Sequence, residues 1–180
     1  ELYDFTPLDP EQVYLSALGT AVETLLSGGT TVVDHLVLIP GQELETIAAA
    51  VRAYQEIGIR AFIGPLIQDE SLTAGMPAGD SAIEHVAYMR STKATLELME
   101  SAIKQFHNPQ KGVNILLAPT GIQLCSDNLF EGCIDLGDRY NLCLHAHLLE
   151  TSAQKQLAQQ KYGCSAVEHL QEIGYLSPRT

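Results

Sequence analysis

The sequence predicts an α/β fold built on a parallel sheet, and three observations predict it. Apolar positions at helical spacing alternate with short aliphatic or β-branched runs along the chain. Those short runs are nearly continuously apolar, as strands covered on both faces are. Clusters of Gly, Pro, Asn and Ser fall between the segments, where turns belong. Neither a repeat at fixed period nor a low-complexity linker divides the 180 residues, so residues 1–180 are read as one domain.

The order begins with a helix. Asp9, Pro10 and Glu11 supply an N-cap, a proline for the first turn and an acidic start, and apolar positions follow from Glu11 to Leu26. Ser27, Gly28 and Gly29 stop it. Thr30 to His35 is β-branched and reads as the first strand, Gly41 to Ile57 as a helix closed by Gly58, and Ile59 to Pro65 as the second strand. Residues 66–80 hold Pro77 among small residues and read as a long loop of the kind that lies over a site. Ser81 to Phe106 is expected to be mostly helical, Val113 to Pro119 a third strand, Asp127 to Tyr140 a helix, and Asn141 to His147 a fourth strand. Thr151 to Ile173 supplies a last helix that Gly163 interrupts. Four sequentially ordered parallel strands and five helices result.

Composition narrows the partners. A net charge of −12 repels nucleic acid and anionic membrane, which favours a small-molecule ligand. With 46% hydrophobic residues and a mean hydropathy of +0.04 the chain reads as soluble and globular. The start, Glu1-Leu-Tyr-Asp-Phe5, carries no signal-peptide pattern, and the expected location is the cytoplasm. Cys125, Cys133, Cys143 and Cys164 show no C-x-x-C spacing and read as reduced thiols, mostly in the core.

The chemistry concentrates in Leu142-Cys-Leu-His145-Ala-His147-Leu-Leu-Glu150-Thr151, an apolar run that delivers two histidines and a glutamate at its carboxyl end. In parallel β/α proteins that end of a strand carries the catalytic groups. His145 and His147 share one face by the two-residue period of a strand, and Glu150 follows close enough to serve a water activated at a metal. Two plainer readings stand beside this one. Each histidine could be a hydrogen-bonded core residue, and Glu150 with Thr151 and Ser152 could simply open and cap the next helix.

Several segments together resemble one family. Leu25-Leu-Ser-Gly-Gly-Thr-Thr-Val-Val-Asp-His35 looks like the second barrel strand of the amidohydrolase superfamily, in its branch of aromatic deaminases and triazine hydrolases, and Leu144-His-Ala-His-Leu-Leu-Glu-Thr151 looks like its fifth. The run from Tyr162 to Leu176 is similar to the helix that follows that strand. The resemblance implies part of a (β/α)₈ barrel, covering strands two to five, with one divalent metal, zinc before iron. It assigns His147 as a metal ligand and Glu150 as the catalytic proton shuttle. His145 becomes an inward residue one layer deeper rather than a ligand, and His35, His145 and Thr120 become candidate pocket residues. Gln123 and Ser126 follow the third strand, where substrate contact and helix capping are equally natural. His85, His107 and His169 read as surface or helix-end residues.

The implied activity is hydrolytic deamination or dechlorination of a nitrogen heterocycle by metal-activated water. No residue here matches the family's strand-one histidine pair, its strand-six histidine or its strand-eight aspartate, so the isolated chain is expected to be inactive and not to retain metal. The implied half-barrel leaves apolar edges and an inner face with Val33, Ile63, Leu117 and Cys143, for which self-association is the expected cover. The rival reading is a non-catalytic, doubly wound small-molecule-binding module. Its usual Gly-rich phosphate loop is lacking between Thr30 and Pro40.

Overall fold

The computed structural model describes residues 9–71 and 90–180. They fall into two compact units, Glu1–Pro65 with Ser101–Leu116, and Leu66–Glu100 with Leu117–Thr180.

In the first unit α1 spans Pro10–Leu26. Asp9 accepts from the Gln12 N–H at 2.9 Å while Gln12 accepts from the Asp9 N–H at 3.0 Å, so each residue satisfies an orphan donor of the first turn. The buried face of α1 is small, Val13, Ala17 and Ala21, and lies against α2, Glu43–Ile57. Outside that seam the Arg52 guanidinium covers the Tyr14 ring at 3.8 Å and pairs with Glu11 at 2.8 Å. Strand β1, Thr31–Leu36, lies parallel to the first part of β2, Arg60–Ile67, in register from Thr31 opposite Arg60 to Leu36 opposite Pro65. Strand β3, Val113–Ile115, flanks β2 on the other side.

Alternation along β1 decides what its two faces do. Val32 and Leu36 are buried, and Asp34 on the same face accepts a 2.7 Å bond from the Tyr54 hydroxyl of α2. Val33 and His35 take the opposite face, where Val33 is 62% exposed. Asp34 therefore belongs to the helix-facing side and not with its neighbour His35.

The second unit holds the rest of β2, whose Leu66 and Ile67 pair with β4, Ala118–Pro119, in the register that β3 began. The expected strand from Val113 to Pro119 is thus divided in two. The donors of β2 run two apart from the Ala61 N–H, which reaches the Gly112 carbonyl at 2.8 Å, and that series brings Pro65 opposite the Leu116 carbonyl. Proline has no N–H to give, so the ladder lapses there.

Helix α3 runs Thr92–Phe106; the part of that expected helix between residues 81 and 89, and the expected loop from 72 to 80, lie outside the described residues. Helix α4, Asp127–Tyr140, starts at Ser126, whose hydroxyl accepts from the Leu129 N–H at 3.2 Å. Ser126 is therefore a cap, itself held by Asp69 through its N–H at 2.8 Å and its hydroxyl at 2.6 Å. The expected last helix divides at Gly163, φ +71°, into α5, Ser152–Tyr162, and α6, Ala166–Glu172.

The expected strand from Asn141 to His147 is an extended segment with a single bridge, Leu144 to Leu117. Its ladder starts correctly: Leu117 donates to the Cys143 carbonyl at 3.2 Å and accepts from the His145 N–H at 3.0 Å. The next donor would be residue 119, a proline, and the pairing slips so that the His147 N–H reaches the Thr120 carbonyl at 3.1 Å. The His145 carbonyl left without its main-chain donor is taken by the buried Tyr175 hydroxyl at 2.8 Å.

Two side-chain expectations change. His169 is buried, with 9% exposure, because the ring stacks on Tyr162 and Nε2 lies 2.8 Å from an Asp127 oxygen. His107 is half-buried, its Nδ1 accepting from the Ile115 N–H at 3.1 Å, and burial lowers its pKa. Position 85 lies outside the described residues. Cys125 and Cys133 are core thiols, burial pushing Cys125 up to about 12, whereas Cys143 is exposed and Cys164 intermediate.

Candidate active site

The segment that carries His145 and His147 is fixed by main-chain bonds to residues 117 and 120 and by the Tyr175 hydroxyl. Two residues apart on an extended backbone, the imidazoles fall on one side, their centroids 6.0 Å apart and their planes at 76°. Both are half-buried rather than core. Burial first, and then the neighbouring His147, lower the pKa of His145.

Gly121 gives this segment room. A Cβ there would stand 3.0 Å from the His147 carbonyl oxygen and 2.7 Å from Gln123 Oε1, so a larger residue would press on the main chain that carries His147. Gln123 Oε1 is itself a buried acceptor without a hydrogen-bond partner among the described residues. Thr120, buried on the same stretch, uses its hydroxyl at 3.0 Å and its N–H at 2.9 Å on the Ile67 carbonyl, and so joins the end of β2 to the strand of His147.

Past His147 the chain turns at Leu149, a non-glycine residue at φ +56°, one of two such positions among the described residues. The left-handed conformation is unfavourable for a leucine. Its consequence is that Thr151, and not Glu150, becomes the N-cap of α5, the Thr151 hydroxyl accepting from the Gln154 N–H at 3.3 Å. Glu150 is left outside the helix with its carboxylate exposed. Gln154, 8% exposed, holds it twice: Oε1 accepts from the Glu150 N–H at 2.9 Å and Nε2 donates to Glu150 Oε2 at 3.1 Å. Glu150 Oε1 keeps its lone pairs among the described residues.

The second unit therefore brings His145, His147, Thr120 and Glu150 into one stretch of structure, where Thr151 caps the helix that begins at Ser152, as the plainer reading expected of this segment, and Glu150 stands just before it. His35 stands on β1 of the first unit, half-buried on the face it shares with Val33. The residue that sequence reasoning missed is Gln154. Its signal was present as Thr151-x-x-Gln154, the spacing at which an N-cap and a third-position glutamine serve each other.

The profile of the amidohydrolase family matches residues 1–179. The chain belongs to the amidohydrolase family. It is 29% identical over 175 residues to 8-oxoguanine deaminase of Pseudomonas aeruginosa, covering 96% of this chain and 38% of that one. Among solved structures, the zinc complex of atrazine chlorohydrolase from Arthrobacter aurescens TC1 superposes with a TM-score of 0.79 at 23% identity, over 96% of this chain and 37% of that one. An adenosine deaminase from Xanthomonas campestris with bound zinc gives a TM-score of 0.74 at 21% identity, over 96% and 34%. The chain thus spans little more than a third of the length of these proteins. The fold is the corresponding part of the amidohydrolase barrel, a sequentially ordered parallel sheet flanked by helices, and not the doubly wound alternative, whose strand order reverses. No helix among the described residues is long and apolar enough to cross a membrane.

Proposed function

We propose that the protein is a metal-dependent hydrolase that removes an amino group or a chloride from a nitrogen heterocycle, with His147 as a metal ligand and Glu150 as the group that moves protons. The observation that carries this reading is the Leu149 turn, which lifts Glu150 out of the helix cap while Gln154 fixes its orientation three residues past His147. A left-handed leucine is a cost that ordinary helix entry does not require.

The donor chemistry fits a borderline-soft divalent ion. His147 offers an imidazole nitrogen, and burial disfavours the charged form of the neighbouring His145. Zinc rather than iron is supported by its presence in two similar structures. Bound there, the ion would act as a Lewis acid and bring the pKa of a water ligand to about 7.

The chain's own residues supply the rest. Glu150 Oε1 accepts the proton of the attacking water and returns it to the departing nitrogen, while Oε2 stays anchored by Gln154. A chloride leaving group needs no such return, so one carboxylate serves both outcomes. Gln123 Oε1, a buried acceptor with no donor among the described residues, suits a ring N–H or amino group. The net charge of −12 supports a neutral or cationic small substrate over nucleic acid or an anionic membrane. Unpaired cysteines support a cytoplasmic location, and the exposure of Leu26, 84%, and Val33, 62%, supports self-association.

Zinc-loaded full-length enzyme, in which this chain is joined to the remaining barrel strands, incubated with a panel of oxopurines, aminopurine nucleosides and chloro-s-triazines tests the reading. Ammonia or chloride released in step with ring hydroxylation is the expected result. Turnover that survives exhaustive chelation overturns it.

A further inference from the structure

Three ligand-type side chains meet on the turn after α5 and on α6, away from the segment of His147. One donor atom each from Cys164, His169 and Glu172 lies within 4.8 Å of the other two. His169 and Glu172 stand three apart on α6 and so share a face. Cys164 precedes the Ser165 cap, with its sulfur against the His169 main-chain N–H. The start of α6 is rigidly set, since Ser165 and Glu168 satisfy each other's N–H groups at 2.8 and 3.2 Å. Glu168 is occupied by that cap, and Glu172 is not.

The imidazole is held from two further directions. Its ring stacks on Tyr162, with centroids 3.5 Å apart and planes within 10°, and Nε2 lies 2.8 Å from Asp127 Oδ1. Donation from Nε2 to that carboxylate fixes the tautomer in which Nδ1 carries the lone pair. A carboxylate behind a histidine in this way is how proteins orient metal-ligating rings. Burial grades outward from His169 through Cys164 to the exposed Glu172, which leaves the outer side open to water.

We propose that Cys164, His169 and Glu172 form a divalent-metal site that takes a borderline-soft ion such as Zn²⁺ or Cd²⁺ through a thiolate, an imidazole nitrogen and a carboxylate oxygen, with water as fourth ligand. Asp127 is its positioning residue. Binding displaces the thiol proton to solvent, so affinity rises with pH. This site does not depend on the activity proposed above.

Titration with Cd²⁺, followed by the ultraviolet charge-transfer band of a thiolate–cadmium bond, tests it. The band is expected to saturate at one ion per chain and to vanish in Cys164→Ser. Glu172→Gln, on an exposed side chain that the fold does not need, is expected to keep the band and weaken binding by at least about tenfold, and Asp127→Asn by about 10- to 100-fold. A band that persists in Cys164→Ser, as the exposed Cys143 would give, overturns the proposal. So does the lack of a band in the parent protein, or an unchanged affinity in Glu172→Gln.

Discussion

Tyr175→Phe isolates the bond that replaces a missing rung of the sheet. Pro119 cannot donate to the His145 carbonyl, and the Tyr175 hydroxyl does so at 2.8 Å from a fully buried ring. Phenylalanine keeps the ring and its edge-on contact with Phe130, 4.9 Å between centroids, so the substitution removes one oxygen and little packing. It leaves a partly buried carbonyl without a donor, a loss of about 1–2 kcal/mol on the scale of unsatisfied buried groups. Urea unfolding at neutral pH reads that value from the midpoint at unchanged slope. Pro119→Ala sharpens the test, because alanine returns an N–H at the position the ladder expects. In that background Tyr175→Phe should cost about 1 kcal/mol less, a coupling that the double-mutant cycle separates from the backbone effect of removing proline. A single-variant loss under about 0.5 kcal/mol, the ordinary range of an inconsequential substitution, would refute the rung-replacement argument.

The remaining predictions concern charge and positioning. Burial raises the pKa of Asp34 more than the Tyr54 bond lowers it, so the folded state holds that proton more tightly than the unfolded chain. The associated stability is present below the unfolded pKa and is lost as pH rises through the raised folded value. Asp34→Asn, which still accepts from Tyr54, should therefore gain stability relative to the parent between pH 4 and pH 7, as read by urea midpoints at both values. A gain confined to pH 4 would contradict the sign. In the full-length enzyme, Gln154→Ala should lower kcat by about tenfold with KM and metal content little changed, because it frees the Glu150 carboxylate without touching the ring of His147. A change in KM alone would assign Gln154 to substrate binding instead.

Local signals were the legible ones. Asp9 and Pro10 mark the start of α1, Gly163 marks the break between α5 and α6, and the β-branched run from Thr30 marks β1 within a residue. His147 and Glu150 could be singled out because a strand end followed by a helix start is written in ten consecutive residues. What escaped depends on partners far along the chain. Pro65 interrupts pairing 51 residues away at Leu116, and Pro119 disturbs the segment of His145; the prolines are visible in the sequence, but which carbonyl each fails to serve is not. His169 reads as a helix-end residue until Asp127, 42 positions earlier, is seen bonded to its ring. Gln154 was overlooked because its spacing from Thr151 suggests a capping box, whereas its side chain bonds Glu150 instead.

Paired substitution at His147 and Glu150 in the full-length enzyme tests the central claim most directly, with metal content and heterocycle hydrolysis measured on the same samples. His147→Ala should lose both tight metal retention and turnover. Glu150→Gln should retain metal while its rate falls by about two to four orders of magnitude, the usual worth of a positioned acid–base group. Stoichiometric metal and near-parental turnover in His147→Ala would contradict the account and return His147 to the standing of a half-buried structural histidine.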